Sequence, residues 1–205
     1  DRSGDAVRLP MGVYDIIVFN RSFNDFSNIA FRGNSYETLE AYARKVETRV
    51  DKKTRVETRT IISSPDELAA ATLEGFTVTE DMLGNYSQTT YGRTAPSRSS
   101  EETPDGLYHL HFVPKKLTRE VSAVLHIEGL NNIRSATCRL GGVAESIFLA
   151  TGKTSANTVT QEFTPSNPEF SPGSPFNGTL SCEFEIFGLN VIDNNNLHLD
   201  ALLVD

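Results

Sequence analysis

Hydrophobic and polar residues alternate at the start of the stretch 121–149, and this alternation predicts a β-strand. Every second residue from 121 to 127 is apolar, namely Val121, Ala123, Leu125 and Ile127. A period of two places these side chains on one face of a strand, where they can be buried together. The polar residues between them would face solvent. We therefore predict a strand with one buried face.

A turn and a second alternating run complete this stretch. Residues 129–132 are rich in Gly and Asn, which adopt positive φ more readily than other residues. Apolar residues then return at every second position from Ala136 to Leu140, and Gly141-Gly142 are expected to end that run before it resumes at 143–149. The stretch as a whole predicts two or three neighbouring antiparallel strands of a sandwich.

Similar patterns elsewhere predict most of the remaining strands. The run 179–187 is the clearest, because Leu180, Cys182, Phe184 and Ile186 alternate with polar residues. The run 13–19 is apolar on nearly both faces, as in a central strand. Further strands are predicted at 29–32, 76–79, 107–113, 158–163 and 197–203.

Two segments instead carry signals of short helices. Ser35 is placed to cap a helix over 36–44, and Ser64-Pro65-Asp66-Glu67 has the residue order of a capping box with proline in the first turn. The second helix is predicted to run to about Leu73, where Gly75 follows.

Three other segments are predicted to be connections. Residues 45–62 repeat the phrase VETR and predict a hairpin that turns near 51–53, with a charged, solvated edge. Residues 84–103 are polar and predict a long loop or linker. Residues 165–177 contain four prolines, which predict a surface connection without a strand ladder.

The composition limits the classes of function. The net charge of -8 argues against nucleic acid as a partner, since phosphate binding requires clustered Lys and Arg. The chain contains no apolar run long enough for a membrane-spanning helix. Cys138 and Cys182 are the only cysteines, and they are either two buried thiols or one inter-strand disulfide.

Candidate metal ligands are few, and their spacing gives little support for a metal site. His109 and His111 would share one face of a strand, and His126 on a neighbouring strand is a possible third ligand. Polar residues on the outer face of a sheet explain these histidines better. The acidic and amide run 193–196 lacks the glycine and distal glutamate of an EF-hand, so it predicts a turn.

No arrangement of residues predicts catalysis or a cofactor. Gly141-Gly142 do not precede a helix, so they do not predict a phosphate-binding loop. No hydrolase or zinc-protease motif occurs, and Cys138 lies within a strand pattern that would disfavour a reactive thiolate. We therefore predict that the protein is not an enzyme and has no catalytic, metal or cofactor-binding residues.

Five phrases together resemble the fimbrial assembly and fimbrillin-like surface lipoproteins of Bacteroides and its relatives. They are LPMGVYDIIVFN at 9–20, SPDELAAATLEGFTVTEDM at 64–82, TPDGLYHLHF at 103–112, HIEGLNNIRSATCRLGGVAESIFLATG at 126–152 and FGLNVIDNNNLHLDALLVD at 187–205. The resemblance rests on the order and spacing of these phrases across nearly the whole chain.

This resemblance implies a mainly β fold of two Greek-key, transthyretin-like β-sandwich domains with a few short helices. The first would span 1–114 and be incomplete at its N-terminus, and the second would span 115–205. It also implies display at the cell surface, in the outer membrane or in a fimbrium, through a lipid anchor that this chain lacks.

The resemblance implies that the protein is a non-enzymatic fimbrial or adhesion protein. It would act as a fimbrial subunit, anchor or assembly protein. An open sheet edge would bind other fimbrial subunits or host or bacterial surface proteins. The alternative is a carbohydrate-binding sandwich module of a glycan-uptake system. That alternative is weakened because the chain has no Trp and most aromatic residues fall on inward-facing strand positions.

Overall fold

The computed structural model describes residues 7–46, 60–83, 109–190 and 195–204, and strands dominate these ranges. The helical elements in them are three short 3-10 turns at Phe23–Asp25, Glu80–Leu83 and Leu130–Asn132. The strands are β1 (Gly12–Phe19), β2 (Ile29–Arg32), β3 (Glu40–Ala43), β4 (Lys45–Val46), β5 (Ile61–Ile62), β6 (Ala69–Val78), β7 (Lys115–Lys116), β8 (Arg119–Ile127), β9 (Ile133–Ala144), β10 (Ser146–Phe148), β11 (Thr158–Phe163), β12 (Asn167–Phe170), β13 (Gly178–Ile186) and β14 (Leu197–Leu203). The mainly β fold predicted from the alternating patterns is confirmed.

The strands form four sheets. Three have three strands each, in the orders β1-β6-β7, β10-β3-β2 and β12-β13-β8. The fourth has five strands in the order β14-β9-β11-β5-β4. The pairing of β5 with β11 is parallel, and the other described pairings are antiparallel.

The five-stranded sheet packs against the sheet β12-β13-β8 across a hydrophobic core. The rings of Phe163 on β11 and Phe184 on β13 stack with centroids 4.2 Å apart. Cys138 on β9 is fully buried in the same cluster. Most inward positions predicted on the strands at 121–127, 136–140 and 179–187 are less exposed than the polar residues beside them, as the alternation requires. Leu140 and Cys182 are the exceptions, because each is only partly buried, as is a polar residue beside it.

Both predicted helices are wrong, because their residues pair in sheets instead. Residues 40–43 form β3, which lies between β2 and β10 and buries Ala41 and Ala43. Residues 69–78 form β6, which pairs with β1 along its length. Sheet pairing here outweighs the helix preference of Ala, Glu and Leu.

The apparent capping box at 64–67 binds the backbone of other segments. The Ser64 hydroxyl accepts a hydrogen bond from the amide of Glu185 at 2.9 Å. The Asp66 carboxylate accepts one from the amide of Asn28 at 2.7 Å. These polar side chains therefore connect distant strands and do not begin a helix.

Three further strand predictions need correction. The strands β8 and β9 are not neighbours, since β8 pairs with β13 and β9 pairs with β11 and β14. Residues 109–113 form no strand, although their exposure alternates. Residues 167–170 do form a strand, β12, in which Pro168 is tolerated because β12 lies at a sheet edge.

The glycine pair at 141–142 forms a β-bulge and does not end β9. Gly141 and Gly142 lie opposite the single residue Thr160 of β11, with regular pairs on either side. Gly142 has φ of 75°, a conformation that glycine adopts without steric penalty. The bulge bends β9, which continues to Ala144.

The hairpin predicted at 45–62 is confirmed where it can be observed, since Lys45 pairs with Ile62 and Val46 with Ile61. Its turn, and the loop predicted at 84–103, lie outside the described residues.

The domain limits predicted at 114 and 115 stay a prediction. Strands from both sides of that point share three of the four sheets and one hydrophobic cluster.

Candidate functional site

The three candidate metal-binding histidines do not form a cluster. His109 and His111 are exposed and lie outside any strand, and His126 is exposed on β8. In the ranges that the structure covers, no group of three or more His, Cys, Asp or Glu residues is placed to hold a metal. Of the predicted turn at 193–196, only residues 195 and 196 are described.

The two cysteines lie in the core as free thiols. Cys138 is buried on β9, and Cys182 is partly buried on β13 in the facing sheet. Burial, and then the nearby Cys182 and Asp200, raise the pKa of Cys138, while burial raises the pKa of Cys182. Both shifts disfavour the reactive thiolate, in keeping with a packing role.

The strongest candidate for a functional surface is β14, at one edge of the five-stranded sheet. Within the described residues β14 pairs with β9 alone, through a register from Leu197 opposite Leu140 to Leu203 opposite Ile133. Its other side therefore presents backbone N–H and C=O groups that no described strand pairs. Such an edge can accept an additional strand.

Apolar side chains on β14 are exposed on both faces. Leu199 is 41% exposed, whereas its cross-strand partner Cys138 is 0% exposed. Cross-strand partners point to the same side of a sheet. We therefore infer that β14 extends beyond the facing sheet, leaving part of the inner face open. Leu202 and Leu203 are exposed as well.

Ion pairs hold β14 in register on its other face. Arg139 on β9 contacts Asp200 of β14 at 2.7 Å and Glu162 of β11 at 2.9 Å. The guanidinium thus links three adjacent strands, and its single positive charge is shared between Asp200 and Glu162. Partial exposure of the three side chains limits the stabilisation that these pairs provide.

The other edges of this sandwich carry residues that discourage pairing. Edge strand β12 contains Pro168, and edge strand β4 begins with Lys45. The exposed side of edge strand β8 carries Glu120 and His126. Lysine, proline and outward charges are common protections against edge-to-edge association. The strand β14 has neither Lys nor Pro, although it carries Asp200. It also exposes four leucines, Leu197, Leu199, Leu202 and Leu203, whereas β8, β12 and β4 each expose one large apolar side chain, so β14 presents the most apolar surface of these edges.

A separate open cleft lies beside β1. Its volume is about 640 Å³, and its walls come from β1, the segment 20–23 and the turn at 33–39. Aromatic and polar side chains are mixed in these walls, including Phe19, Phe23, Tyr36, Asp15, Arg21 and Asn34. Clefts of this size and mixed character can bind small molecules.

The family comparison matches residues 1–164 to a domain of unknown function, DUF5119. The chain belongs to the DUF5119 family. Among solved structures, this DUF5119 chain is similar to a protein from Bacteroides ovatus that is described as a proposed adhesin, with a TM-score of 0.55 and 16% identity over 91% of the chain. The chain covers 53% of that protein's length. At this identity the likeness shows the fold alone.

No curated protein matches this DUF5119 chain by sequence. In the described ranges, none of its helical segments has the length and apolar character that crossing a membrane requires.

The sequence pattern correctly predicted a strand at β14, but it did not predict that the strand is exposed on both faces. The alternation at 197–203 predicted a strand with one buried face, whereas all seven residues are exposed. Exposure on both faces depends on what the facing sheet covers, and no local pattern encodes that. The cleft was missed because its residues are spread from Asp15 to Leu39 and only the turns bring them together.

Proposed function

We propose that this DUF5119 protein is a cell-surface adhesion protein that acts by protein contact and not by catalysis. The observation that carries the proposal is β14, an edge strand whose seven residues are all exposed and mostly leucine. An extended segment of another protein would pair with its free backbone groups and cover its leucines. The similarity of the fold to a proposed adhesin of Bacteroides ovatus supports this assignment.

The finer form of the proposal is a fimbrial role. The protein would be a subunit, anchor or assembly protein whose partners are other fimbrial subunits or surface proteins. A lipid anchor would hold it at the outer membrane or at the base of a fimbrium. The motif order from 9 to 205 that resembles fimbrillin-like lipoproteins supports this form.

The test is cell adhesion and surface display by the full-length protein produced in Bacteroides. The double variant Leu199→Lys and Leu203→Lys places two charges on β14 and should reduce adhesion about tenfold, because burying an unpaired charge opposes strand addition. Both side chains are exposed, so folding should be retained. Antibody labelling of intact cells measures surface display.

Val124→Lys is the matched control. Val124 is also apolar and exposed, and it lies on β8, an edge strand of the facing sheet. This variant should adhere like the unmodified protein. Equal adhesion by the β14 variant and the unmodified protein would refute the role of β14. Labelling only after cell lysis would refute surface display.

A further inference from the structure

We propose that the cleft beside β1 binds a neutral saccharide. Its walls combine three aromatic rings, from Phe19, Phe23 and Tyr36, with polar side chains that include Asp15, Arg21 and Asn34. Sugar rings present C–H groups on their faces and hydroxyl groups around their edges. Aromatic rings carry negative charge on their faces and pack against such C–H groups, while carboxylate, amide and guanidinium groups bond hydroxyls.

The aromatic wall is held in place before any ligand arrives. The ring of Phe23 lies 4.8 Å from that of Phe19 and 4.5 Å from that of Phe31, in edge-to-face contacts. Phe26, which is buried, packs against both Phe19 and Phe31. A ring fixed in this way loses little conformational freedom when a ligand binds.

Tyr36, another residue that lines the cleft, is also held in place. Its hydroxyl donates a hydrogen bond to the Glu74 carboxylate at 3.2 Å, which connects the turn at 33–39 to β6. Burial is the largest of the effects that raise the pKa of Tyr36, so the phenol stays neutral. The ring therefore presents an uncharged aromatic surface.

The turn that carries Asn34 and Tyr36 is also preformed. The Thr38 hydroxyl accepts hydrogen bonds from the amides of Asn34 at 3.3 Å and Ser35 at 3.1 Å. Gly33 has φ of 97°, and a Cβ at this position would overlap the carbonyl oxygen of Thr38. The backbone conformation of this turn is thus held by contacts within the protein and does not depend on a ligand.

Polar groups in the cleft remain available for a ligand. Across the described residues, neither the Asn34 carboxamide nor the Arg21 guanidinium takes part in a hydrogen bond or ion pair, although Arg21 lies 6.0 Å from the centre of the Phe26 ring. Asp15 accepts the amide of Gly75 through one carboxylate oxygen at 2.8 Å. Donors and acceptors are therefore both present.

The charges of the cleft favour a neutral ligand. Arg21 and Asp15, which carry opposite charges, both line the cleft. A phosphate or other anion would favour several convergent cations, and Arg21 is the one Lys or Arg side chain among the described residues that line the cleft. A polyhydroxylated neutral molecule can use both groups as hydrogen-bonding partners.

This inference goes beyond the proposed function, because the lining residues come from β1 and the segment that follows it, whereas the adhesion edge is β14. The cleft is open, so we expect weak binding, with a Kd on the order of 1 mM for a single sugar unit. A surface protein with such a cleft would recognise glycans independently of strand pairing.

The test uses saturation-transfer NMR on the whole chain with the methyl glycosides of glucose, galactose, mannose and N-acetylglucosamine, and with sialic acid as a charged comparison. Arg21→Gln and Asn34→Ala should each weaken binding about fivefold, the effect of losing one hydrogen bond. Tyr36→Ala should abolish the signal, while Tyr36→Phe should keep it because the ring remains.

Arg119→Gln is the control, since Arg119 is an exposed arginine on β8 that does not line the cleft. It should bind like the unmodified chain, and circular dichroism should show that every variant is folded. Equal binding by all variants would overturn the inference, as would the absence of saturation transfer from every neutral glycoside or a signal from sialic acid alone. Failure of this test leaves the β14 adhesion test unaffected, and the converse also holds.

Discussion

At the level of single residues, the carboxylate of Glu40 on β3 connects three strands through an ion pair and a hydrogen bond. This carboxylate pairs with Arg32 on β2 and accepts a hydrogen bond from the Ser146 hydroxyl on β10 at 2.6 Å. Arg32 also reaches Glu145 at 3.4 Å and lies over the ring of Tyr42. Burial by itself would raise the pKa of Glu40, but the hydrogen bonds from Arg32 and Ser146 lower it overall.

We predict that Glu40→Gln destabilises the protein by about 1 kcal/mol at neutral pH, because a charge-assisted pair that is partly exposed is lost. A lowered pKa in the folded state gives stability that is present above the unfolded-state pKa and is lost as the pH falls through the folded-state pKa. The difference between the two proteins should therefore shrink in acid.

Urea unfolding at neutral pH and at a pH below the folded-state pKa of Glu40 measures this difference. Glu37→Gln is the control, because Glu37 is exposed and makes no ion pair within the described ranges. It should change the free energy of unfolding little at either pH. A Glu40→Gln effect that stays constant with pH would contradict the assignment.

At the level of elements, the turn between β2 and β3 depends on one glycine. Gly33 follows β2 directly, and its positive φ and the lack of space beside Thr38 both exclude a side chain. The turn positions the registered pairs Ile29 with Ala43 and Arg32 with Glu40. It also forms one wall of the cleft.

We predict that Gly33→Ala lowers the free energy of unfolding by about 3 kcal/mol, since an unfavourable φ adds to a steric overlap. Gly173→Ala is the matched control. Gly173 has φ of 78°, but no atom lies within 4 Å of the position of an added Cβ. That variant should lose only about 1 kcal/mol. Denaturant unfolding of both variants measures the difference, and equal losses would disprove the role of the overlap.

At the level of the whole molecule, the chain is joined by one large cluster of buried residues. This cluster contains Ile29, Ile62 and Leu68 from before residue 114 and Val143 and Phe184 from after it. The pairings of β6 with β7, β3 with β10 and β5 with β11 also cross that point. Such mixing favours a single cooperative unfolding transition.

We predict that Phe163→Ala lowers the stability of the whole chain by about 3 to 5 kcal/mol, because it removes a buried ring from the stack with Phe184. All six tyrosines precede residue 109, so tyrosine fluorescence reports on the first part of the chain. Its unfolding midpoint should shift together with the midpoint from circular dichroism. A tyrosine transition that stays unchanged would instead support independent domains at 1–114 and 115–205.

Local patterns predicted the strands well where one face is buried. The strand at 29–32 and the strand at 158–163 have the predicted limits, and most inward positions of β8, β9 and β13 are less exposed than the polar residues beside them, as expected. The predictions were wrong for β3 and β6, where helix-favouring residues pair with neighbouring strands. They were also wrong for Gly141 and Gly142, which bend a strand and do not end it.

The sequence by itself determined the mainly β fold and the core-facing side chains, because a period of two requires only that one face of a strand be buried. Only the tertiary structure decided which strands pair, since pairing depends on contacts between residues far apart in the chain. It also decided that β14 is uncovered and that Phe23, Tyr36 and Arg21 share a cleft. Both candidate sites depend on how residues far apart in the chain are placed relative to one another, so the sequence pattern alone did not predict them.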